Sequence, residues 1–247
     1  MASTTYDINA IKKARFDQVW DMISKSGASG KIYPEESKIR LEQKILDGKG
    51  QYIFNIKDNM SVDNVETFAL DRNDVMVPNS IGVFVGIRNT TTKEEVLFPY
   101  APINDGTNPS IHKAGFTNPS IKKLWDGFLS WNVDTSVLLS RYPMEKFLHV
   151  PQVQGAFVLD GTNSAVNEGI QSEWTLDQYL SLLMPRYIIA GTRDHKITVN
   201  FNAATLTFPV TAGYEAYMVL IIDGFLVKGG CEYFGGENWA GKAVGQW

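Results

Sequence analysis

The 247-residue chain is 44% hydrophobic and 20% charged, enough apolar material for a core, which excludes intrinsic disorder over most of its length. Its 23 Lys and Arg against 27 Asp and Glu leave a net charge of −4, which disfavours a general nucleic-acid binder. The single cysteine, Cys231, excludes an intrachain disulfide and a zinc site built on cysteines.

The three histidines, His112, His149 and His195, lie far apart and form no HExxH or His-x-His motif. The opening MASTTYDINAIKKARF has no apolar h-region, and the longest apolar runs are too short to span a bilayer. These features predict a soluble protein made in a reducing cytoplasm. An aromatic share of 12%, with abundant Gly, leans toward β structure.

In chain order, residues 7–26 predict an amphipathic helix. Ile8, Ile11, Val19 and Ile23 recur at helical spacing beside Phe16 and Trp20, and Lys12, Lys13, Asp17 and Asp21 take the other side. Asp7 is the expected N-cap, and Gly27 and Gly30 supply the stop. SKSGASGK (24–31) reads as a hinge, so the helix is expected to be an arm whose stripe the β body does not cover.

From Lys38 the period becomes two. KIRLEQKIL (38–46), the turn DGKG (47–50) and QYIFNIK (51–57) predict a β-hairpin, with Ile39, Leu41, Tyr52, Phe54 and Ile56 buried on one sheet face. SIGVFVGIR (80–88) alternates Ile81, Val83, Val85 and Ile87 with Gly82 and Gly86 opposite, glycines that suit close approach or a bulge. EEVLFPY (94–100) is a short strand. Residues 101–126 form a long connection holding TNPSI twice, at 107–111 and 117–121, as two consecutive turns.

Strands resume at 127–133 and 136–142, then at EKFLHVP (145–151) and GAFVLDG (155–161). A capping box at Thr175 and Gln178 opens a second helix ending near Met184. RYIIAGT (186–192) and HKITVNF (195–201) flank an expected hairpin tip at Arg193-Asp194. TLTFPV (205–210) and YEAYMVLIIDGFLV (214–227) follow, the latter bent at Asp223-Gly224, and a glycine-rich tail with Trp239 and Trp247 ends the chain. About eleven to thirteen short strands with no regular βα alternation predict a mainly β fold of the jelly-roll kind.

No motif carries catalysis. DRND (71–74) and the two DGTN segments (105–108, 160–163) offer oxygen ligands for calcium, but turn chemistry explains them equally well. GGCEYFGG (229–236) lacks the Lys and Ser/Thr of a phosphate loop. Asp194 and His195 are adjacent rather than converging across a fold, and no G-x-S-x-G elbow supplies a nucleophile. His149 reads as a core or interface histidine. The doublets Glu35-Glu36 and Glu94-Glu95 read as solvated strand ends rather than a glycosidase pair. Trp125, Trp131, Tyr214 and Tyr217 are expected in core and subunit contacts rather than in sugar stacking. No catalytic, cofactor-binding or metal-ligating residue is assigned, and no cofactor. The first fifty residues lean basic, nine Lys and Arg against seven Asp and Glu, which suits an arm facing an anionic surface or an ordinary solvated helix face.

The arm DINAIKKARFDQVWDMI (7–23), the hairpin KIRLEQKILDGKGQYIFNIK (38–57), and the strands RYIIAGTRDHKITVNF (186–201) and YEAYMVLIIDGFLVKGG (214–230) together resemble a virion coat protein. More narrowly, the layout is similar to the major capsid proteins of tailless, membrane-containing icosahedral bacteriophages. That resemblance implies a double jelly roll, with an N-terminal arm and hinge (1–33), barrels at 34–152 and 153–230, and a tail (231–247). One barrel with large insertions is the alternative. It further implies a structural, non-enzymatic protein that forms homotrimers and an icosahedral capsid, contacts other virion proteins, and reaches an internal membrane through its arm, without specific nucleic-acid recognition. An accessory virion protein (penton, ring or fibre base) and a carbohydrate-binding β-sandwich are the alternatives.

Overall fold

Alternation of apolar and polar residues at period two becomes, in three dimensions, two facing antiparallel sheets. A computed structural model describes residues 8–27, 30–56, 70–99, 122–149, 179–183, 187–201 and 213–234. Among them lie helix α1 (Ile8–Lys25), strands β1 (Pro34–Lys44), β2 (Gln51–Asn55), β3 (Val75–Asn89), β4 (Glu95–Phe98), β5 (Phe128–Val133), β6 (Ser136–Pro143), β7 (Ser181–Leu182), β8 (Ile189–Ala190), β9 (His195–Asn200) and β10 (Tyr214–Val227), and a one-turn helix α2 (Cys231–Phe234). One sheet has the order β1-β10-β3-β4, with β7 and β8 also on β3; the other has the order β2-β9-β5-β6. The protein is therefore mainly β.

The pairing is nested. β1 pairs with β10, from Pro34↔Val227 to Lys44↔Tyr217. Inside that pair, β2 joins β9, β3 joins β7 and β8, and β5 joins β6. The chain thus runs as one long hairpin, wound so that successive rungs fall in alternate sheets. The core lies between the sheets. Ile39, Leu41, Ile81, Val83, Val85, Met218, Leu220 and Ile222 come from one side, and Tyr52, Phe54, Leu129, Trp131, Ile197 and Val199 from the other. Each such side chain contributes about 1.5–3 kcal/mol by leaving water.

The expected division at residue 152 does not separate the described strands, because β9 and β10 pair with β2 and β1. The expected hairpin 38–57 is not one either. Its five apolar residues are buried as predicted, but β1 and β2 belong to different sheets. The DGKG connection is a corner: Lys49 N–H donates to the Leu46 carbonyl, and Leu46 N–H donates to the Tyr52 hydroxyl at 3.0 Å. Residues 186–201 correct in the same way, since β8 pairs with β3 and β9 with β2 and β5. Alternation sets the face a residue takes, and the larger apolar interface chooses its partner.

Other expectations fare unevenly. EKFLHVP opens with a 3-10 turn at Met144–Phe147. The end of the expected helix 175–184 is the short strand β7, and its start lies outside the described residues. The TNPSI repeats, GAFVLDG, TLTFPV and the tail beyond Phe234 also lie outside them. Run 214–227 remains one strand, with a register shift at Asp223/Gly224. A Cβ at Gly224 would lie 2.3 Å from the Val77 carbonyl oxygen, so that close crossing requires glycine.

The arm reading is corrected by the packing of α1. Val19, Met22 and Ile23 seat on Val75, Val77, Ile188, Ala190, Phe225 and Val227, on the outer face of the first sheet. Phe16 meets Phe225 edge-on at 5.5 Å between centroids. Buried Arg15 donates from Nη1 to the carbonyl of Asn79, the residue that the register shift leaves between Pro78↔Gly224 and Ser80↔Asp223. Gly27 and Gly30, at φ 76° and 79°, turn the chain back. Closing so short a loop costs little entropy, so the adjacent sheet captures the stripe.

Two truncations test this packing. Phe54→Ala is expected to cost about 3–5 kcal/mol and Ile23→Ala about 2–5 kcal/mol in chemical denaturation. An unchanged midpoint for Ile23→Ala would show that the helix is not docked.

Candidate functional site

The outer face of the first sheet has two halves. α1 covers one. The other carries Phe84, Tyr217, Val219 and Ile221, packed with Leu97, Tyr179 and Leu180. Into this apolar surface the sheet sets a cluster of charges. Ile39 and Leu41 point into the core, so Arg40 and Glu42 point out. Arg88 from β3 and Glu95 from β4 converge on them. Arg88 Nη2 donates to Glu42 Oε2 at 2.8 Å and to Glu95 Oε1 at 3.1 Å. Arg40 also bonds Glu95 and pairs with Glu42. Gly86 makes the room: a Cβ there would sit 2.6 Å from Glu95 Oε1.

Glu42 is the most enclosed member, its side chain 1% exposed. Burial raises its pKa above the usual Glu range, while the Arg88 hydrogen bond and the Arg40 and Arg88 charges pull it back down. The Arg88 guanidinium lies 4.5 Å from the Tyr217 ring centroid. Tyr217 donates to Glu215 Oε2 at 2.6 Å, and Glu215 also accepts from Lys44. Burial, then Glu215, pushes the Tyr217 hydroxyl up to about 12, so it stays protonated and serves as a donor. The cluster joins β1, β3, β4 and β10 by charge-assisted bonds. It orders strands; it does not assemble a nucleophile with a base.

The residues weighed from sequence are dispersed. In DRND, Asp74 Oδ1 accepts from Gly229 N–H at 2.8 Å, its carbonyl accepts from Gly191 N–H and the Cys231 thiol, and its N–H donates to Asp71 O. That turn thus pins the start of β3 to β8 and α2. Both DGTN segments lie outside the described residues. Among the described residues no three His, Cys, Asp or Glu side chains are grouped to hold a metal ion. His195 is buried edge-on to Trp131. Asp194 instead donates its N–H to Asp134 Oδ1 at 2.9 Å. That bond, with the Arg193 side chain, holds Asp134 below the usual carboxylate range. His149 meets Tyr179 edge-on, and burial lowers its pKa.

The doublets are corrected in part. Glu35 pairs with Lys228 at 2.8 Å and Glu36 with Lys12 at 2.7 Å at the surface. Glu95 is no solvated end but a largely buried member of the cluster. Trp125, Trp131 and Tyr217 are buried, Tyr214 packs against the core, and none forms an exposed platform. The cluster itself escaped the sequence reading. Its signal was the alternation of Lys38, Arg40 and Glu42 with the apolar Ile39 and Leu41.

Comparison with protein-family models, curated proteins and solved structures finds no match for this chain in any of the three.

Breaking the cluster has a definite pH signature. The folded protein takes up a proton at Glu42 before the unfolded chain does, so this site's contribution falls as pH rises through the raised value. Arg88→Met is expected to cost about 3–5 kcal/mol at neutral pH, the range for breaking a buried pair. The deficit should shrink as pH falls, because a neutral Glu42 needs no counter-charge. Urea melts across pH 4–8 measure it; a deficit that grows toward acid would contradict the assignment.

Proposed function

We propose that this chain is a structural virion protein, a jelly-roll coat subunit that self-assembles. The observation that carries the reading is the nested order of pairing, β1 with β10, β2 with β9, β3 with β7 and β8, and β5 with β6. A hairpin wound in this way gives sheet orders β1-β10-β3-(β7, β8) and β2-β9-β5-β6, the double-sheet arrangement of capsid and lectin jelly rolls. One roll accounts for the described strands, so the proposal is a single roll per chain. β4 extends the β3 edge where β7 and β8 are short.

A coat subunit needs a rigid body and many repeated contacts rather than a reaction centre. Rigidity comes from the two-sided burial of β10 and from the charge cluster across four strands. Homotrimers closing into an icosahedral shell are the expected assembly, in the virion, after synthesis in the host cytoplasm. A single roll serves equally as the major subunit or as a penton, and the number of copies per shell decides between them. Among the described residues no helix is long and apolar enough to cross a membrane. With α1 docked, a route to an internal membrane would need other segments.

The carbohydrate-binding alternative rests on Tyr33, 62% exposed and stacked on Trp20 at 5.7 Å. Light scattering with negative-stain imaging separates the two. The coat reading expects trimers or closed shells that ignore glycans. A monodisperse monomer in assembly buffer whose tryptophan emission responds to oligosaccharides, and loses that response in Tyr33→Ala, would overturn it.

A further inference from the structure

We propose that the bulge at Asn79 couples the two covers of the first sheet's outer face, α1 and the segment 179–183, so that loosening either one loosens the other. The coupling is independent of the coat reading and needs no partner molecule.

The bulge first builds the seat of α1. Ile81 and Val77 are four residues apart and would share a face under strict alternation. Ile81 lies in the core between the sheets, yet Val77 lies under α1. One extra residue is the reason. Asp223 and Gly224 are consecutive in β10, but they stand opposite Ser80 and Pro78, which leaves Asn79 as the added residue of β3. It turns Val75 and Val77 outward, beneath Val19, Met22 and Ile23.

The same residue then anchors both covers. Asn79 is 3% exposed, and its carbonyl accepts from Arg15 Nη1 of α1 and from Leu183 N–H at 3.0 Å. Leu183 follows β7, whose Ser181 and Leu182 pair with Ile81 and Ser80. Just before β7, Leu180 lies over Gly82, where a Cβ would stand 2.6 Å from Leu180 Cδ2. Tyr179 and Leu180 pack with Phe84, Tyr217, Val219 and Ile221. The two covers thus belong to separate apolar clusters, and both bond one carbonyl.

That arrangement is a mechanical link. Withdrawing α1 removes the cover that holds Val75 and Val77 outward, so the bulge loses what fixes it. The carbonyl moves with the bulge, and the Leu183 bond is strained with it. Loosening 179–183 acts in reverse, by freeing the carbonyl that Arg15 grips. Proteins open locally in contiguous cooperative units, and coupling between two places is reciprocal.

Amide hydrogen exchange on the full chain, read residue by residue, tests the coupling. Arg15→Met removes the donor on the α1 side. It should speed exchange at Leu183 by roughly fivefold or more, the lower end of ordinary coupling, and leave β2 and β9 in the other sheet unchanged. Leu180→Ala acts from the other cover. It should speed exchange across residues 19–23 by a comparable factor, which a purely local packing role for Leu180 would not do. Should Arg15→Met unfold the chain as a whole, Leu180→Ala decides alone. Exchange that rises only in the cover bearing the substitution overturns the coupling and leaves the coat reading standing. A rise in Leu180→Ala that is as large in β2 and β9 as in α1 overturns it too, since the outer face would then have no opening of its own.

Discussion

The antiparallel pairing of β1 with β10 is the constraint on which the rest of the fold depends. It brings Pro34 opposite Val227 and Lys44 opposite Tyr217, nearly the full length of both strands. Once those two are joined, every strand between them must pair inside the loop they close. β2 with β9, β3 with β7 and β8, and β5 with β6 satisfy that condition in turn. Strand composition follows from position. β10 lies between β1 and β3 and is apolar on both faces, with Met218, Leu220 and Ile222 inward and Tyr217, Val219 and Ile221 outward. β1 lies at the rim and keeps alternate charges. Gly224 marks where β10 crosses β3 too closely for a side chain.

A β10 apolar on both faces needs cover on the outer side as well. The two halves of the outer face solve this differently. α1 lays Val19, Met22 and Ile23 over one half, and Arg15 bonds the Asn79 carbonyl at the register shift. The other half is crossed by Arg40, Glu42, Arg88 and Glu95. Desolvating such charges is costly, and only multiple bonds per group offset it. Glu42 and Glu95 each face both arginines, and Arg88 also lies over the Tyr217 ring. The network's geometry is demanding, so it selects one register among β1, β3, β4 and β10.

Much of this was legible in the amino-acid order, but unevenly. Period two placed Ile39, Leu41, Tyr52, Phe54 and Ile56 in the core, and helical spacing placed α1. Partners were not legible. DGKG and Arg193-Asp194 look like hairpin turns, because a corner between sheets uses the same Asp and Gly residues as a turn within one. The difference lies in distant pairings, β1 with β10 and β2 with β9, that no local window contains. The hinge at 24–31 looked like a tether, since its glycines cannot say where the helix comes to rest. Glu94-Glu95 looked like a solvated strand end for the same reason. Only the convergence of Arg40 and Glu42 from β1 with Arg88 from β3 places Glu95 in an enclosed network.

The β1–β10 pairing is the most directly testable part of this account. On isotopically labelled, deuterated protein with protonated α positions, nuclear Overhauser effects between α-protons report which strands lie side by side. The nested fold predicts cross-strand effects linking residues 35–44 with 217–226, and residues 51–55 with 196–200, and none between 38–46 and 51–57. Effects joining 38–46 to 51–57 in hairpin register, with none to β10, would contradict it.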